Sequence, residues 1–200
     1  VASICTHNEP WVVAVLGHEL GVFAPGQKSR AAAIQVAHHL LLSHGQALQA
    51  LRAEGSKAKL GIVLNLSPTY PASNKPEDVA QARIDDGRSL RWFVDPLLRG
   101  EYPVDVLEHL GADAPQVQAG DLAQIAQPLD WLGINNYSRH MAQASGPFDV
   151  KTGGLPLSDM GWEIYPQGLT DLLVRLHTDY TLPPTYITEN GGAFPDPVTD

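Results

Sequence analysis

The segment KLGIVLNLSP, residues 59–68, decides how the fold is interpreted. Its apolar residues are nearly continuous, as in a parallel strand buried on both faces, and a polar cluster ends the run. Three more segments share this form, so strands are predicted at residues 1–5, 59–66, 130–135 and 185–188. The polar clusters that end them read THNEP, NLSP, NNYS and TENGG. Polar side chains that could take part in binding or catalysis therefore follow every predicted strand.

Longer helical patterns separate these strands. Residues 30–52 are rich in Ala and Leu, and residues 76–98 open with Pro and acids that suit a helix start. Residues 167–180 carry leucines at helical spacing. Strands that alternate with helices predict an α/β fold with a parallel sheet.

Two architectures fit this alternation: an open doubly wound sheet, as in a nucleotide-binding enzyme, and part of a (β/α)8 barrel. Neither GxGxxG nor GxxxxGK[ST] follows any predicted strand, so the usual phosphate loops are absent from the sequence. A barrel builds its active site from the C-terminal ends of several strands, where the polar clusters lie here. We therefore predict a (β/α)8 TIM barrel. Because such a barrel takes about 250 residues or more, the chain is expected to hold only part of one.

Composition and charge argue against several partners. The 200 residues are 44% apolar, and no apolar run approaches the roughly 20 residues that span a bilayer. Acidic side chains outnumber basic ones by 22 to 13, so neither nucleic acid nor a membrane is expected as a partner. The single cysteine, Cys5, and the lack of a signal-peptide pattern predict a cytoplasmic location, although a signal ahead of residue 1 would be out of view.

Two carboxylates stand at strand ends. Glu9 lies in THNEP after the first predicted strand, and Glu189 lies in TENGG at the end of the last. Hydrolysis of a glycosidic bond needs such a pair, one to protonate the leaving oxygen and one to attack the anomeric carbon or activate water. The alternative for any single Glu is a solvated loop residue.

The peptides around these carboxylates resemble the two signature peptides of glycoside hydrolase family one, the β-glucosidase family. They are THNEPW (6–11) and YITENGG (186–192). Five further segments are similar to family segments in the family's order: residues 31–48, 61–73, 85–103, 129–138 and 160–169. The resemblance covers essentially all 200 residues.

This resemblance implies a catalytic role for each carboxylate. Glu9 corresponds to the general acid/base and Glu189 to the nucleophile of a retaining β-glycosidase, which acts by double displacement through a covalent glycosyl-enzyme. The two carboxyl groups should then lie about 5–5.5 Å apart. The plant thioglucosidases of the family lack the acid/base carboxylate, so Glu9 argues against that branch. No metal or organic cofactor is implied, and HExxH is absent from the sequence.

The resemblance also implies several substrate-binding residues. Asn8 corresponds to the asparagine that hydrogen-bonds the sugar 2-hydroxyl, with an N-cap of a helix near Pro10 as the alternative. Asn135 and Tyr137 correspond to an asparagine and to a tyrosine that orients the nucleophile Glu189. Residues two apart on a strand share a face, so both can point into the site.

Asn65 and Trp162 correspond to residues on the aglycone side of the family's cleft. An indole face suits stacking against a sugar or an aryl group, and the alternative for Trp162 is core packing. Trp92 and Trp131 are assigned to the core. His7, at the variable position of the first signature peptide, is assigned a structural role.

The domain prediction follows from the length of family members, which is about twice that of this chain. Residues 1–200 are expected to be a partial catalytic (β/α)8-barrel domain that spans approximately strands 4 to 7 of 8, with the N- and C-terminal barrel portions missing. Open edges would then leave apolar faces uncovered, so the fragment itself is expected to be inactive and marginally stable.

The expected substrate is a terminal, non-reducing β-glucoside or a related oligosaccharide or aryl glycoside. The motifs alone do not choose among glucosides, galactosides, fucosides and 6-phosphoglycosides. The alternative function is a non-catalytic sugar-binding or receptor-like barrel of the same fold. Such relatives usually lose one of the two carboxylates, and both are present here.

Overall fold

A four-stranded parallel sheet forms the centre of the computed structural model, which describes residues 1–196. The strands within this range are β1 (Ser3–Asn8), β2 (Lys59–Asn65), β3 (Thr69–Pro71), β4 (Trp131–Asn136), β5 (His140–Ala142) and β6 (Thr185–Asn190). The main sheet has the order β1-β2-β4-β6, and all its neighbouring strands are parallel. The predicted parallel α/β sheet is confirmed, with each predicted strand in it.

The two outer strands run further along the chain than predicted. β1 begins at Ser3 and continues to Asn8, and β6 continues through Glu189 to Asn190. Backbone N–H and C=O groups pair whatever the polarity of the side chains, so Asn135 of β4 still pairs with Glu189 of β6. Glu189 therefore lies within a strand, where the backbone ladder holds it in place.

Burial separates the two central strands from the two outer ones. Every residue of β4 is buried, as are residues 60–64 of β2. In β6, by contrast, Tyr186 is 57% and Ile187 is 41% exposed. The prediction that the strands are buried on both faces is thus correct for β2 and β4. It is wrong for β1 and β6, because these two strands form the open edges of the described sheet.

Helices follow the strands as the alternating pattern predicts. They are α1 (Arg30–Ala53), α2 (Pro76–Asp86), α3 (Trp92–Leu98), α4 (Val104–Leu110), α5 (Asp121–Ile125) and α6 (Gln167–Asp179), with π-helical segments at Val12–Glu19 and Gly87–Arg91 and 3-10 turns at Gly111–Asp113 and Val150–Gly153. The single helix predicted at residues 76–98 is divided, because a π-helical segment joins α2 to α3. Within the described residues, no helix is long and apolar enough to cross a bilayer.

The core lies between the sheet and the helices on its outer side. Leu41 of α1, Ile62 of β2, Ile134 of β4 and Leu172 of α6 are fully buried in one hydrophobic cluster. Trp92 and Trp131 are 1% and 8% exposed, which confirms both core assignments. This packing buries the middle of the sheet, and the C-terminal strand ends carry polar side chains.

A second, two-stranded sheet lies just beyond the C-terminal ends of the central strands. β3 and β5 follow β2 and β4 after a few residues, and they pair in parallel from Thr69–His140 to Pro71–Ala142. These two strands were not predicted from the sequence, because each is only three residues long. This small sheet ties together the two loops that begin at the candidate site.

Candidate active site

Polar side chains from the four parallel strands meet at the C-terminal edge of the main sheet. Asn65 of β2 lies opposite Asn135 of β4, which lies opposite Glu189 of β6. On the other side, Asn8 of β1 pairs with Val63 of β2. The fold therefore brings the two signature peptides to one edge although about 180 residues separate them.

Glu9 has an unusual backbone conformation. The register of β1 against β2 shifts between Cys5 and Asn8, and Glu9 follows with φ of 51°, the only positive φ among the described non-glycine residues. Its N–H donates to the Val63 carbonyl at 3.0 Å and its carbonyl accepts from the Val12 N–H at 2.9 Å. A left-handed Glu costs about 1–3 kcal/mol and is retained mainly where function needs a particular direction of the side chain.

The Glu9 carboxylate accepts a hydrogen bond from the side-chain amide of Asn135, on β4. Nδ2 of Asn135 donates to Oε1 of Glu9 at 2.7 Å and to Oδ1 of Asn8 at 3.1 Å. The capping alternative for Asn8 is wrong. The helical stretch begins at Pro10, so Glu9 rather than Asn8 precedes it, and within residues 1–196 the Asn8 side chain accepts from Asn135 and from no backbone N–H of this stretch. Asn8 thus lies beside Glu9 at this edge of the sheet, and its hydrogen bond to the sugar 2-hydroxyl stays a prediction.

Glu189 has a phenol as its partner. The hydroxyl of Tyr137 donates a hydrogen bond to Oε2 of Glu189. This bond, with partial burial and the negative charges of Glu189 and Glu9, raises the pKa of Tyr137 to about 12. The phenol therefore keeps its proton at neutral pH and remains a donor to the Glu189 carboxylate. The structure confirms that Tyr137 contacts Glu189.

Trp162 lies at the surface beside Tyr137. It is 42% exposed, so the core alternative is wrong for this residue. Its ring centroid is 5.5 Å from that of Tyr137, and both rings line a cavity of about 280 Å³ together with Phe194 and Asn190. The cavity thus begins at the phenol that contacts Glu189 and extends along an exposed indole.

A buried ion pair anchors the turn that carries Trp162. Glu163 is 2% exposed and accepts from Arg139 at 2.8 and 3.1 Å, while the guanidinium of Arg139 lies 4.3 Å from the Tyr165 ring centroid. The hydroxyl of Ser138 also donates to the Glu163 carbonyl at 2.8 Å. Sequence analysis missed Arg139 and Glu163. An acid within the apolar segment GWEIYP was the signal that could have indicated a buried pair.

The remaining predicted residues fall on two sides of the sheet. Asn65 is half-buried at the end of β2, next to Asn135 in register. His7 faces away from the site towards α1, where its Nε2 lies 2.8 Å from Oγ of Ser43, and burial lowers the His7 pKa. This contact with α1 is consistent with the structural role predicted for His7. Among residues 1–196, no three or more His, Cys, Asp or Glu side chains are grouped so as to hold a metal ion.

Comparison with known proteins reveals similarity along the whole chain. The sequence profile of Glycosyl hydrolase family 1 matches residues 1–200. β-Glucosidase A of Acetivibrio thermocellus is 43% identical over 96% of this chain and 45% of its own length. The crystal structure of a β-glucosidase from Exiguobacterium marinum has a TM-score of 0.92 at 39% identity, covering 100% of this chain and 48% of that one.

A third relative was solved with a ligand. The complex of the virulence factor SghA of Agrobacterium tumefaciens with its substrate analogue salicin has a TM-score of 0.89 at 35% identity, covering 100% of this chain and 46% of that one. The chain spans about half the length of the curated relatives it matches. These neighbours confirm the predicted partial (β/α)8 barrel.

Proposed function

Because the chain belongs to glycosyl hydrolase family 1, we propose that the protein containing it is a retaining β-glucosidase. One observation carries the proposal. Two glutamates stand at the same edge of the sheet and have different partners, an amide from Asn135 for Glu9 and a phenol from Tyr137 for Glu189. A pair of carboxylates in distinct surroundings is what an acid/base and a nucleophile require.

The proposed reaction proceeds in two displacements. Oε of Glu189 attacks the anomeric carbon while Glu9 gives its proton to the glycosidic oxygen, and the aglycone leaves as an alcohol or phenol. The product is a glycosyl ester of Glu189. Glu9, now a carboxylate, takes a proton from water, whose oxygen attacks the same carbon and releases Glu189. Two inversions retain the anomeric configuration.

The side chains around this pair support substrate binding. Asn8 is exposed, and because its Oδ1 accepts from Asn135, its Nδ2 is left to donate to a sugar hydroxyl. Trp162 and the cavity beside it offer an indole face to an aglycone. An aryl β-glucoside therefore suits the site best. Salicin, the substrate analogue bound to the SghA relative, supports the same class.

Tyr137→Phe in the intact protein tests the proposed orientation of the nucleophile. It removes the donor to Glu189 and leaves the ring beside Trp162. We expect kcat to fall about 10- to 100-fold, which corresponds to the loss of one hydrogen bond to a charged group. Steady-state hydrolysis of 4-nitrophenyl β-glucoside measures it. The control is Glu77→Ala, since Glu77 is exposed in the first turn of α2. An unchanged kcat in Tyr137→Phe would contradict the assigned role.

The 200 residues alone are proposed to be inactive. The described sheet is open at β1 and β6, and the exposed Tyr186 and Ile187 lie on the strand that carries Glu189. Without a neighbour on that side, the nucleophile strand lacks support. The purified chain should show no hydrolysis of an aryl β-glucoside where the intact protein does. Sugar binding by the intact protein without any hydrolysis would instead favour the non-catalytic barrel.

A further inference from the structure

Thr188, which precedes Glu189, makes a contact that the proposed mechanism does not use. The register between β4 and β6 shifts at this point, since Ile134 pairs with Ile187 but Asn135 pairs with Glu189. Thr188 is the extra residue of this bulge. Its hydroxyl donates to Oδ1 of Asn135 at 2.6 Å. A bulge commonly redirects a side chain beside an active site.

A glycine on the neighbouring strand makes room for this threonine. A Cβ atom on Gly133 would lie 3.0 Å from both Oγ1 and Cγ2 of Thr188 and 2.6 Å from Cγ2 of Val63. Any larger residue at position 133 would crowd both Val63 and Thr188. The sequence of β4 thus permits the close approach of Thr188 to Asn135.

The amide of Asn135 has all its hydrogen-bonding groups in use. The residue is 1% exposed, its Nδ2 donates to Glu9 and to Asn8, and its Oδ1 accepts from Thr188. A flipped amide would direct Oδ1 at two acceptor oxygens, Oε1 of Glu9 and Oδ1 of Asn8. Because the amide is buried, water cannot relieve that repulsion. The Thr188 hydroxyl, which donates to Oδ1, favours the orientation that serves Glu9.

We propose that Thr188 is a positioning residue for acid catalysis, which fixes the Asn135 amide and through it the carboxyl group of Glu9. This inference rests on the proposed β-glucosidase function. Oε1 of Glu9 accepts from Asn135 both as a carboxylate and as the carbonyl oxygen of the protonated acid. The catalytic proton is therefore kept on Oε2, which gives it to the leaving oxygen and later takes one from water.

The effect of Thr188 is expected to depend on the leaving group. A 2,4-dinitrophenyl group departs without protonation, whereas a methyl group needs the proton of Glu9. The ratio kcat/KM reports formation of the glycosyl-enzyme for both substrates. A loss confined to the methyl glucoside would thus indicate a fault in acid catalysis, and a general structural fault would affect both substrates alike.

The test compares Thr188→Val with Thr188→Ser in the intact protein. Valine has nearly the shape of threonine without the hydroxyl, so kcat/KM for methyl β-glucoside should fall about tenfold while that for 2,4-dinitrophenyl β-glucoside changes less than about twofold. Serine keeps the hydroxyl and should restore the value for methyl β-glucoside. Thermal unfolding of each variant checks its stability, and Thr188→Ala serves as a second variant if valine prevents folding.

Several outcomes would overturn the proposal. Equal losses for both substrates, no loss for either, or a serine variant as impaired as valine would each show that the hydroxyl does not act through Glu9. Failure of both the valine and the alanine variants to fold would assign Thr188 to structure. Absence of hydrolysis by the unchanged protein would refute the β-glucosidase function and the inference with it, whereas normal hydrolysis by all variants would refute only the inference.

Discussion

Glu189→Gly in the intact protein is expected to lower the hydrolysis of an aryl β-glucoside by at least about 10⁴-fold. The change removes the carboxylate that attacks the anomeric carbon and leaves a space beside the Tyr137 hydroxyl. Glu9 keeps its partner Asn135, so the acid function should survive. Initial rates with 4-nitrophenyl β-glucoside measure the effect. Glu77→Ala is the matched control, since Glu77 is an exposed acid in the first turn of α2.

Added azide or formate should restore part of this activity. A small anion can occupy the space left by the carboxylate and attack the anomeric carbon in one displacement, so the product with azide should be the α-glycosyl azide. Proton NMR of the product identifies the anomer. A β-azide, or rescue as strong in the control as in the variant, would argue against Glu189 as the nucleophile.

Glu9→Ala should lower hydrolysis about 10²- to 10⁴-fold for a glucoside with a poor leaving group. The change removes the proton donor and leaves the Glu189–Tyr137 pair in place. With 2,4-dinitrophenyl β-glucoside, formation of the glycosyl-enzyme needs no proton, so kcat/KM should change far less. The measurement is kcat/KM for both substrates, with Glu77→Ala as the control.

Azide distinguishes the two carboxylates. In Glu9→Ala the glycosyl ester of Glu189 still forms, and azide then attacks it from the opposite face, so the product should be the β-glycosyl azide. The two variants therefore predict opposite anomers from the same reagent. The same anomer from both would mean that the roles of acid/base and nucleophile have been assigned wrongly.

Much of the fold could be predicted because it depends on short-range sequence patterns. The run LGIVL of β2 and the run WLGIN of β4 are buried as expected, since continuous apolar residues are stable only between two covered faces. The exposure of Tyr186 and Ile187 could not be predicted in this way, because it depends on which strand forms the edge of the sheet. Strand order is decided by contacts distant in sequence.

In the candidate site too, local sequence identified the residues, and only the structure showed the contacts between them. Glu9, Asn8 and Glu189 were found from the two signature peptides, and Tyr137 was found from the similar segment 129–138. The structure brings all four to one edge of the sheet. Each of the contacts that orient them spans 50 or more residues, as between Tyr137 and Glu189. The contacts of Arg139, Glu163 and Thr188 could therefore not be inferred from the motifs, although each lies within two residues of a residue that was identified.

The sequence by itself determined the alternation of strands and helices, the two carboxylates and their neighbours in the chain, because these depend on side-chain polarity and local order. Only the tertiary structure decided the left-handed backbone of Glu9, the bulge at Thr188 and the orientation of the Asn135 amide. The physical reason is that each of these is set by hydrogen bonds between different strands. Such bonds exist only once β1, β2, β4 and β6 lie side by side.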